Sequence, residues 1–440
     1  MIQSSPIANF STMNLSEKTD IDKSLEMIIQ GSNMNQKEMA SSMQIQIQDY
    51  QESLIEIQSI FKQFKVDITS IQFQSCPARK NKQMIDLQLY FKDGVQEQKI
   101  QKMIQQVQKI CQQVKLLKLP EVPWFPQQLK DLNEIGKSVI QTESDSQRVE
   151  LLYFKDQQYQ KRRKQIAQAA YDYKINESRS LPIIQYTKKD NYVWNYCFNR
   201  LSKLYKKFAC EEFNCAIDQF KKEFQNFDEK IPQFNEVSMY LTEQTGWRLK
   251  PVAGMITPRE FLNGLAFKVF HCTQHIRHHS VPLYSYEPDL IHELLGHVPM
   301  FATKDFSDFS QQIGLASLGV NDTELEKLAA IYFYTIEFGM CREKGQSKAY
   351  GAGIMGSVHE LEYCVSDKPQ ILPFNPFVIC KDHMSYPLNS IQPVYFEIDS
   401  FSDVKKQVSD YCNQIEKPFN AIYNAKQERI IIDREVKMCK

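Results

Sequence analysis

The sequence predicts a multi-domain protein: a small ferredoxin-like α+β module, then a larger, mostly α-helical domain that ends in a short β-hairpin arm. Three observations carry this prediction. Over residues 43–118, four strand-like runs and two helical stripes follow the order βαββαβ, the ferredoxin-like arrangement. Pro120-Glu-Val-Pro123-Trp124-Phe125-Pro126 then interrupts the pattern as a proline-punctuated linker. Beyond it segments with helical spacing dominate, and all eight histidines fall between His271 and His383, so imidazole is concentrated in the second part.

The elements are read in order. Residues 1–42 are polar and lack sustained periodicity, so they are expected to form a disordered arm with one short helix at 23–30. Met43-Gln-Ile45-Gln-Ile47 alternates like a half-buried strand. Leu54, Ile57, Ile60 and Phe61 make a helical stripe within 53–64. Strands are expected at 66–71, 84–91 and 114–117, with a second helix at 98–107. The domain of residues 119–415 should hold helices at 127–141, 156–174, 195–224, 231–243 and 258–270. The run Lys161-Arg162-Arg163-Lys164 sits within one of them and reads as a solvated helix face. Residues 416–440 form the arm, with strands at 418–423 and 428–433.

Composition narrows the function. The 53 basic and 53 acidic side chains cancel, so the basic excess of a nucleic-acid binder is missing. No apolar run approaches the roughly twenty residues that span a bilayer. Neither nucleic acid nor membrane is therefore expected as a partner. The 11 cysteines are odd in number and lack Cys-x-x-Cys spacing, and no secretory apolar stretch opens the chain. Reduced thiols in a cytoplasmic protein are expected.

The chemistry centres on His292-Glu293-Leu-Leu-Gly296-His297 and on Glu337, forty residues further on. Two neutral imidazoles and one carboxylate can take one face of an octahedral Fe(II) and leave the opposite face open. Zinc-protease histidines lie four apart on one helical face; these lie five apart, about 140° around an ideal helix. They reach one metal only if the helix ends between them, an ending expected from Gly296 and Pro299. Glu337 lies in the aromatic, apolar run Ile331-Tyr-Phe-Tyr-Thr-Ile-Glu-Phe338, where an unpaired carboxylate is costly to bury. Burial there favours a metal ligand over a solvated glutamate.

Six blocks in order resemble the pterin-dependent aromatic amino acid hydroxylases: Arg248-Leu-Lys-Pro-Val-Ala-Gly254, Phe261 to Gln274, Glu287 to Pro299, Ile313 to Gly319, Thr335-Ile-Glu-Phe-Gly339 and Ala349-Tyr-Gly-Ala-Gly353. The resemblance implies an Fe(II) enzyme that uses tetrahydrobiopterin, or a related tetrahydropterin, and O2 to hydroxylate an aromatic amino acid, L-phenylalanine in the first instance and tryptophan as the alternative. It implies His292, His297 and Glu337 as iron ligands. Glu293 would face the pterin and, with Tyr332, serve catalysis. Phe261 would stack on the pterin, with Gly254, Ile256, Ala329 and Tyr332 around it. Arg277, oriented by Asp289, would pair with the substrate carboxylate, and Tyr284, Ser285, Pro288, Phe333 and Gly353 would complete the substrate pocket. The first module resembles the ACT regulatory domain of the family, with Ile71 and Ser75-Cys76-Pro77 near its effector motif.

Several positions depart from the family pattern. Gly356 stands where animal relatives have a Ser that supports a histidine ligand, and His279 where many have a small residue. Glu52 replaces the glycine of the family's Gly-Ala-Leu turn, so activation by free phenylalanine is expected to be weak. Leu388 aligns with an Asp of tyrosine hydroxylases, which disfavours tyrosine as substrate. Phe333 replaces a Trp common in phenylalanine hydroxylases, and Met255 a Tyr of tryptophan hydroxylases. The family's long terminal heptad helix is not seen before Lys440, so a homodimer is expected over a tetramer.

Overall fold

The structure is a computed structural model and describes residues 40–47, 50–66, 68–74, 85–92, 97–111, 113–117, 120–137, 155–177, 180–382, 384–387 and 390–439. The chain divides into two compact units, one up to residue 122 together with 434–439, the other from 123 to 433.

In the first unit β1 (Ala40–Ile47), α1 (Tyr50–Gln63), β2 (Ile68–Gln74), β3 (Ile85–Lys92), α2 (Glu97–Ile110) and β4 (Gln113–Leu117) follow one another. Their sheet is antiparallel, in the order β2-β3-β1-β4. Period-two alternation explains its buried face: Met43 and Ile45 oppose Leu89 and Leu87, and all four are buried. Both helices cover that face, α1 with Leu54, Ile57 and Phe61, α2 with Ile100, Met103 and Val107. Strand β1 starts at Ala40, three residues before the expected boundary. The helix expected at 23–30 and the Ser75-Cys76-Pro77 motif lie outside the described residues.

A short strand, β5 (Glu121–Pro123), precedes the helical unit: α3 (Gln157–Asp172), α4 (Lys188–Phe208), α5 (Glu211–Lys222) and α6 (Phe234–Thr245). Strand β6 (Arg248–Val252), helix α7 (Pro258–Ala266) and strand β7 (Val269–Thr273) form a parallel β-α-β unit. A π-helix, Ile291–His297, runs into α8 (Val298–Phe301) and is followed by α9 (Lys304–Ser317). Helix α10 (Asp322–Tyr332) runs into a second π-helix, Phe333–Glu337. Strands β8 (Gly339–Glu343) and β9 (Gln346–Ala349) form a hairpin. Its two turn residues, Lys344 and Gly345, both have positive φ, as a tight primed turn requires. Helices α11 (Ala352–Met355) and α12 (Val358–Cys364), strand β10 (Gln370–Pro373), helix α13 (Pro376–Asp382), strand β11 (Val394–Ile398) and helix α14 (Phe401–Cys412) follow. β10 and β11 extend the hairpin into a four-stranded sheet. An antiparallel pair follows, β12 (Ala421–Asn424), one residue past the expected run 418–423, and β13 (Arg429–Ile432), within 428–433; a last short strand, β14 (Lys437–Cys439), pairs with β5. Among the described residues no helix is long and apolar enough to cross a membrane.

Three helix expectations need correction. Of the segment expected as a helix at 127–141, the described residues 127–137 hold only a short 3-10 turn, Leu129–Glu134, and Gly136 then takes φ 80°. The stretch 195–224 is two helices, because Ala209 and Cys210 are extended and the Cys210 amide donates to the Ala349 carbonyl. The helix expected at 258–270 ends at Ala266. Lys268 takes φ 55°, and Val269–Thr273 becomes a strand buried along its whole length.

Candidate active site

The two π-helices place the three residues expected as metal ligands. In the first, the Val298 amide donates to the Glu293 carbonyl, five residues back. A turn closed by i→i+5 bonds brings residues five apart onto one face, which an α-helix does not. His292 and His297 thus meet with their Nε2 atoms 2.9 Å apart. The expected helix ending between them is absent: the helix widens and continues. Gly296 serves another need, since a Cβ there would sit 2.6 Å from the Ala352 carbonyl oxygen. Its lack of a side chain lets α11 pack against the π-turn. Pro299 does not end the helix: it lies in α8, which follows directly after the π-turn.

The second π-helix closes with the Phe338 amide on the Phe333 carbonyl at 2.8 Å. The same five-residue spacing brings Tyr332 onto Glu337, and its hydroxyl donates to Glu337 Oε1 at 2.8 Å. Glu337 Oε1 lies 3.2 Å from His297 Nε2, and Oε2 lies 3.5 Å from His292 Nε2. Donors about 2.1 Å from one ion are about 3.0 Å apart at right angles and about 3.4 Å apart at tetrahedral angles. The three separations match donors on one side of a single metal ion, so the residues fit the group.

Their ionisation suits that role. Burial raises the Glu337 carboxyl, but the facing His297 and His292 outweigh it and bring it down to about 2. Burial lowers His292 to about 4, against the pull of Glu337. An ionised carboxylate beside a neutral imidazole is what a divalent cation needs. The His297 ring lies 4.7 Å from Phe270 and is stacked on Phe301, so its orientation is fixed by packing.

Glu293 has a ligand oxygen within 4.8 Å of the two histidine nitrogens. Its Oε1 accepts from the amide and hydroxyl of Thr273 on β7, at 2.9 and 3.2 Å. Burial pushes this carboxyl well above the usual range despite the Thr273 amide, and the Glu337 charge adds to the rise. This raises the tendency of Glu293 to hold its proton.

The ring expected to stack on the pterin, Phe261, lies edge-on to Tyr332 at 5.0 Å and to Phe270 at 6.1 Å. Neither ring is stacked on its face. Ala329 and Tyr332 lie three apart on α10, on one face of that helix. Gly254 and Ile256 lie in the connection just before the Thr257 cap of α7.

Arg277 and Asp289 are a buried bidentate pair, Nε to Oδ2 at 2.9 Å and Nη2 to Oδ1 at 2.7 Å. The Arg277 amide adds a bond to Asp289 at 2.7 Å. Burial raises Asp289, but Arg277 more than reverses this and holds it below the usual carboxylate range. Nη2 also reaches the Gly356 carbonyl at 3.5 Å, which leaves Nη1 as the spare end of the fork.

The remaining substrate candidates fall differently. Ser285 donates to the Glu287 carbonyl at 2.5 Å, and the Pro288 carbonyl accepts from Thr273. Tyr284 is 55% exposed. Phe333 is buried and stacked on Tyr386 at 3.7 Å. A Cβ at Gly353 would enter the Phe338 ring at 2.5 Å, so this glycine makes room for that ring. A Cβ at Gly356 would come 2.9 Å from the His292 Cα, so a serine there would have to displace the π-turn slightly. Leu388 lies outside the described residues. Sequence reading missed Thr273 and Tyr386. Thr273 lies inside a quoted block, where its bond to Glu293 leaves no periodic signal, and Tyr386 lies in an irregular loop.

Comparison with known proteins agrees with this geometry. A family model described as biopterin-dependent aromatic amino acid hydroxylase matches residues 123–440. The chain is 38% identical to a phenylalanine-4-hydroxylase of Caenorhabditis elegans over 394 residues, covering 87% of this chain and 84% of the relative. It is 44% identical to that of Rattus norvegicus over 312 residues, 70% of this chain and 67% of the relative. A tryptophan 5-hydroxylase of Xenopus laevis is 41% identical over 319 residues, 72% of this chain and 65% of the relative. With most of the chain matched and the donor set intact, the protein belongs to the biopterin-dependent aromatic amino acid hydroxylases.

Proposed function

We propose that the protein is an Fe(II)- and tetrahydrobiopterin-dependent monooxygenase that hydroxylates L-phenylalanine to L-tyrosine. The observation that carries this is the convergence of His292, His297 and Glu337 within 3.5 Å of one another. Similarity to proteins named phenylalanine-4-hydroxylase supports the substrate. When bound, iron and the tetrahydropterin activate O2 and supply two electrons, so that one oxygen atom enters the ring and the other leaves with the pterin.

The chain's own residues bind, orient and exclude water. His292, His297 and Glu337 hold the metal, and the Tyr332 hydroxyl fixes the Glu337 carboxylate. Phe261 offers a ring face to the pterin, with Gly254, Ile256, Ala329 and Tyr332 beside it. Asp289 locks Arg277 so that Nη1 meets the amino acid carboxylate, a geometry suited to a planar fork. Pro288 and Phe333 wall the ring pocket. Glu293, anchored by Thr273 and raised by burial toward its protonated form, would face the pterin as a hydrogen-bonding group. Ser285, which already donates to Glu287, has only its lone pairs left for a substrate ammonium.

Tryptophan 5-hydroxylation is the second reading, favoured by the smaller Phe333 ring and by the amphibian relative. Against it, Met255 stands in place of a Tyr of tryptophan hydroxylases, and Tyr386 stacks on Phe333. An assay with the three aromatic amino acids under equal pterin and O2 tests the proposal. Phenylalanine should give the highest kcat/KM; a tenfold preference for tryptophan overturns it.

The first unit is read as an ACT regulatory module on the strength of its βαββαβ order and sheet. Glu52 is exposed in the first turn of α1, where its charge opposes an amino acid carboxylate. Preincubation with phenylalanine should therefore activate weakly; sigmoidal kinetics with strong activation would refute this. All ten described cysteines are free, which supports a cytoplasmic setting. The terminal hairpin exposes Ile422 at 61%, which supports a homodimer through that arm, testable by light scattering.

A further inference from the structure

A second cluster of ligand-type side chains lies away from the iron-binding residues. Strand β8 begins two residues after Glu337 and carries Cys341 and Glu343 to the start of α5, where Cys210 is the cap residue. The thiols are 0% and 3% exposed, and Glu343 is half-buried. The two sulfurs and a Glu343 oxygen all lie within 4.8 Å of one another. Cys341 Sγ is 3.8 Å from Glu343 Oε1. Around a tetrahedral zinc, with bonds of about 2.3 Å to sulfur and about 2.0 Å to oxygen, such atoms lie about 3.5–3.8 Å apart.

Backbone amides orient two of the ligands, while the hydrogen bond to Cys210 and burial push the Cys341 thiol up, so its proton is one that a bound metal would have to displace. The Phe213 amide donates to Cys210 Sγ at 3.4 Å, and the Glu211 amide donates to Glu343 Oε1 at 2.7 Å. First-turn amides of a helix favour a thiolate and a carboxylate. Glu212 hydrogen-bonds to Glu343 and adds a second carboxyl at the rim. Two buried thiols alone are ordinary core packing. A carboxylate turned onto both of them, itself oriented by a backbone amide, is not.

We propose that Cys210, Cys341 and Glu343 form a second metal site, for a soft divalent ion of the zinc class, with water in the fourth position beside Glu212. Binding releases the two thiol protons and ties α5 to the strand that leaves the Glu337 turn. This reading is independent of the iron proposal.

Cobalt(II) is the probe, titrated into the full-length protein under reducing conditions. Sulfur-to-cobalt charge transfer gives a near-ultraviolet band that a site of two histidines and a glutamate lacks. We expect the band in the unaltered protein, its loss in Cys210→Ser and Cys341→Ser, and its displacement by zinc. His292→Ala, which disables the iron site, should keep the band. Glu343→Gln leaves both thiols in place and guards against misfolded cysteine variants; it should weaken cobalt binding at least tenfold. No band in the unaltered protein, a band that survives in the Cys210→Ser and Cys341→Ser double variant, or unchanged affinity in Glu343→Gln overturns the site.

Discussion

Each π-helical turn carries a glutamate, buried at 293 and partly buried at 337, and the two carboxyls shift in opposite directions. Glu337, on the turn Phe333–Glu337, faces two imidazoles and a tyrosine hydroxyl and is held ionised, at about 2. Glu293, on the turn Ile291–His297, is pushed up, well above the usual carboxylate range, by burial first and by the Glu337 charge, against the Thr273 amide. Both glutamates lie near the two imidazoles, but Glu293 is more deeply buried and bonds Thr273, whereas Glu337 is partly exposed and faces both histidines and the Tyr332 hydroxyl.

The largest effect that could break this comparison is at Glu337. Glu337→Gln keeps the shape and one acceptor oxygen but removes the charge that a metal requires. Iron content should fall to background and hydroxylation below detection, with the far-ultraviolet circular dichroism unchanged. His292→Ala and His297→Ala should do the same. Full activity in any of the three variants sinks the ligand set.

Glu293→Gln is the matched control. A group that holds its proton loses little by becoming an amide, so iron content should persist, with hydroxylation reduced about tenfold or less. A loss as complete as in Glu337→Gln would show that Glu293 must ionise.

Stability of the metal-free protein should then depend on pH with opposite signs. Glu337 has a folded value below its ordinary 4.5, so its contribution is present above pH 4.5 and is lost as pH falls toward about 2. The drop corresponds to roughly 3 kcal/mol. Glu293 has a raised folded value, so its contribution is present below pH 4.5 and is lost as pH rises. Glu293→Gln should therefore gain stability relative to the parent protein on going from pH 4.5 to 8, while Glu337→Gln should be most destabilised over that range. Thermal melts across pH that show one slope for both variants would erase the distinction.

The sequence made much of this legible, for identifiable reasons. Period-two alternation marks β1 and β3, because Ile45 and Leu87 share one buried face. The three candidate metal ligands are legible because a carboxylate in the aromatic run before Phe338 has no cheap alternative to a cation. What could not be read is the means of bringing His292 and His297 together. A π-turn and a helix end are both consistent with a five-residue spacing, and only packing against α11 through Gly296 selects the first. The break at Cys210 was hidden because its cause, a bond to Ala349, lies far away in sequence. Strand β7 was hidden because an apolar run of five extends an amphipathic helix as readily as it makes a strand.

Gly296→Ala tests that packing. Its Cβ would lie 2.6 Å from a backbone oxygen of α11, which no side-chain rotation relieves. A stability loss of about 1–3 kcal/mol is expected, as for other overpacked positions. Iron affinity should fall too, since the π-turn must shift. Unchanged melting and iron binding would mean that α11 gives way freely and does not hold the turn.

The smallest effect is expected at Thr273→Val, which asks how far the raised Glu293 carboxyl depends on its partner. Valine keeps the shape and the amide bond to Glu293 at 2.9 Å, but removes the hydroxyl shared between Glu293 at 3.2 Å and the Pro288 carbonyl at 3.0 Å. One such bond is worth about 0.5–1.5 kcal/mol. Because burial is the main cause of the raised carboxyl, it should stay raised and iron content should not change. Pro288 borders the substrate pocket, so KM for the amino acid should rise a few-fold while kcat holds. A fall in kcat together with a loss of iron would show that Thr273 supports the metal through Glu293, and the two π-turns would then act as one electrostatic unit.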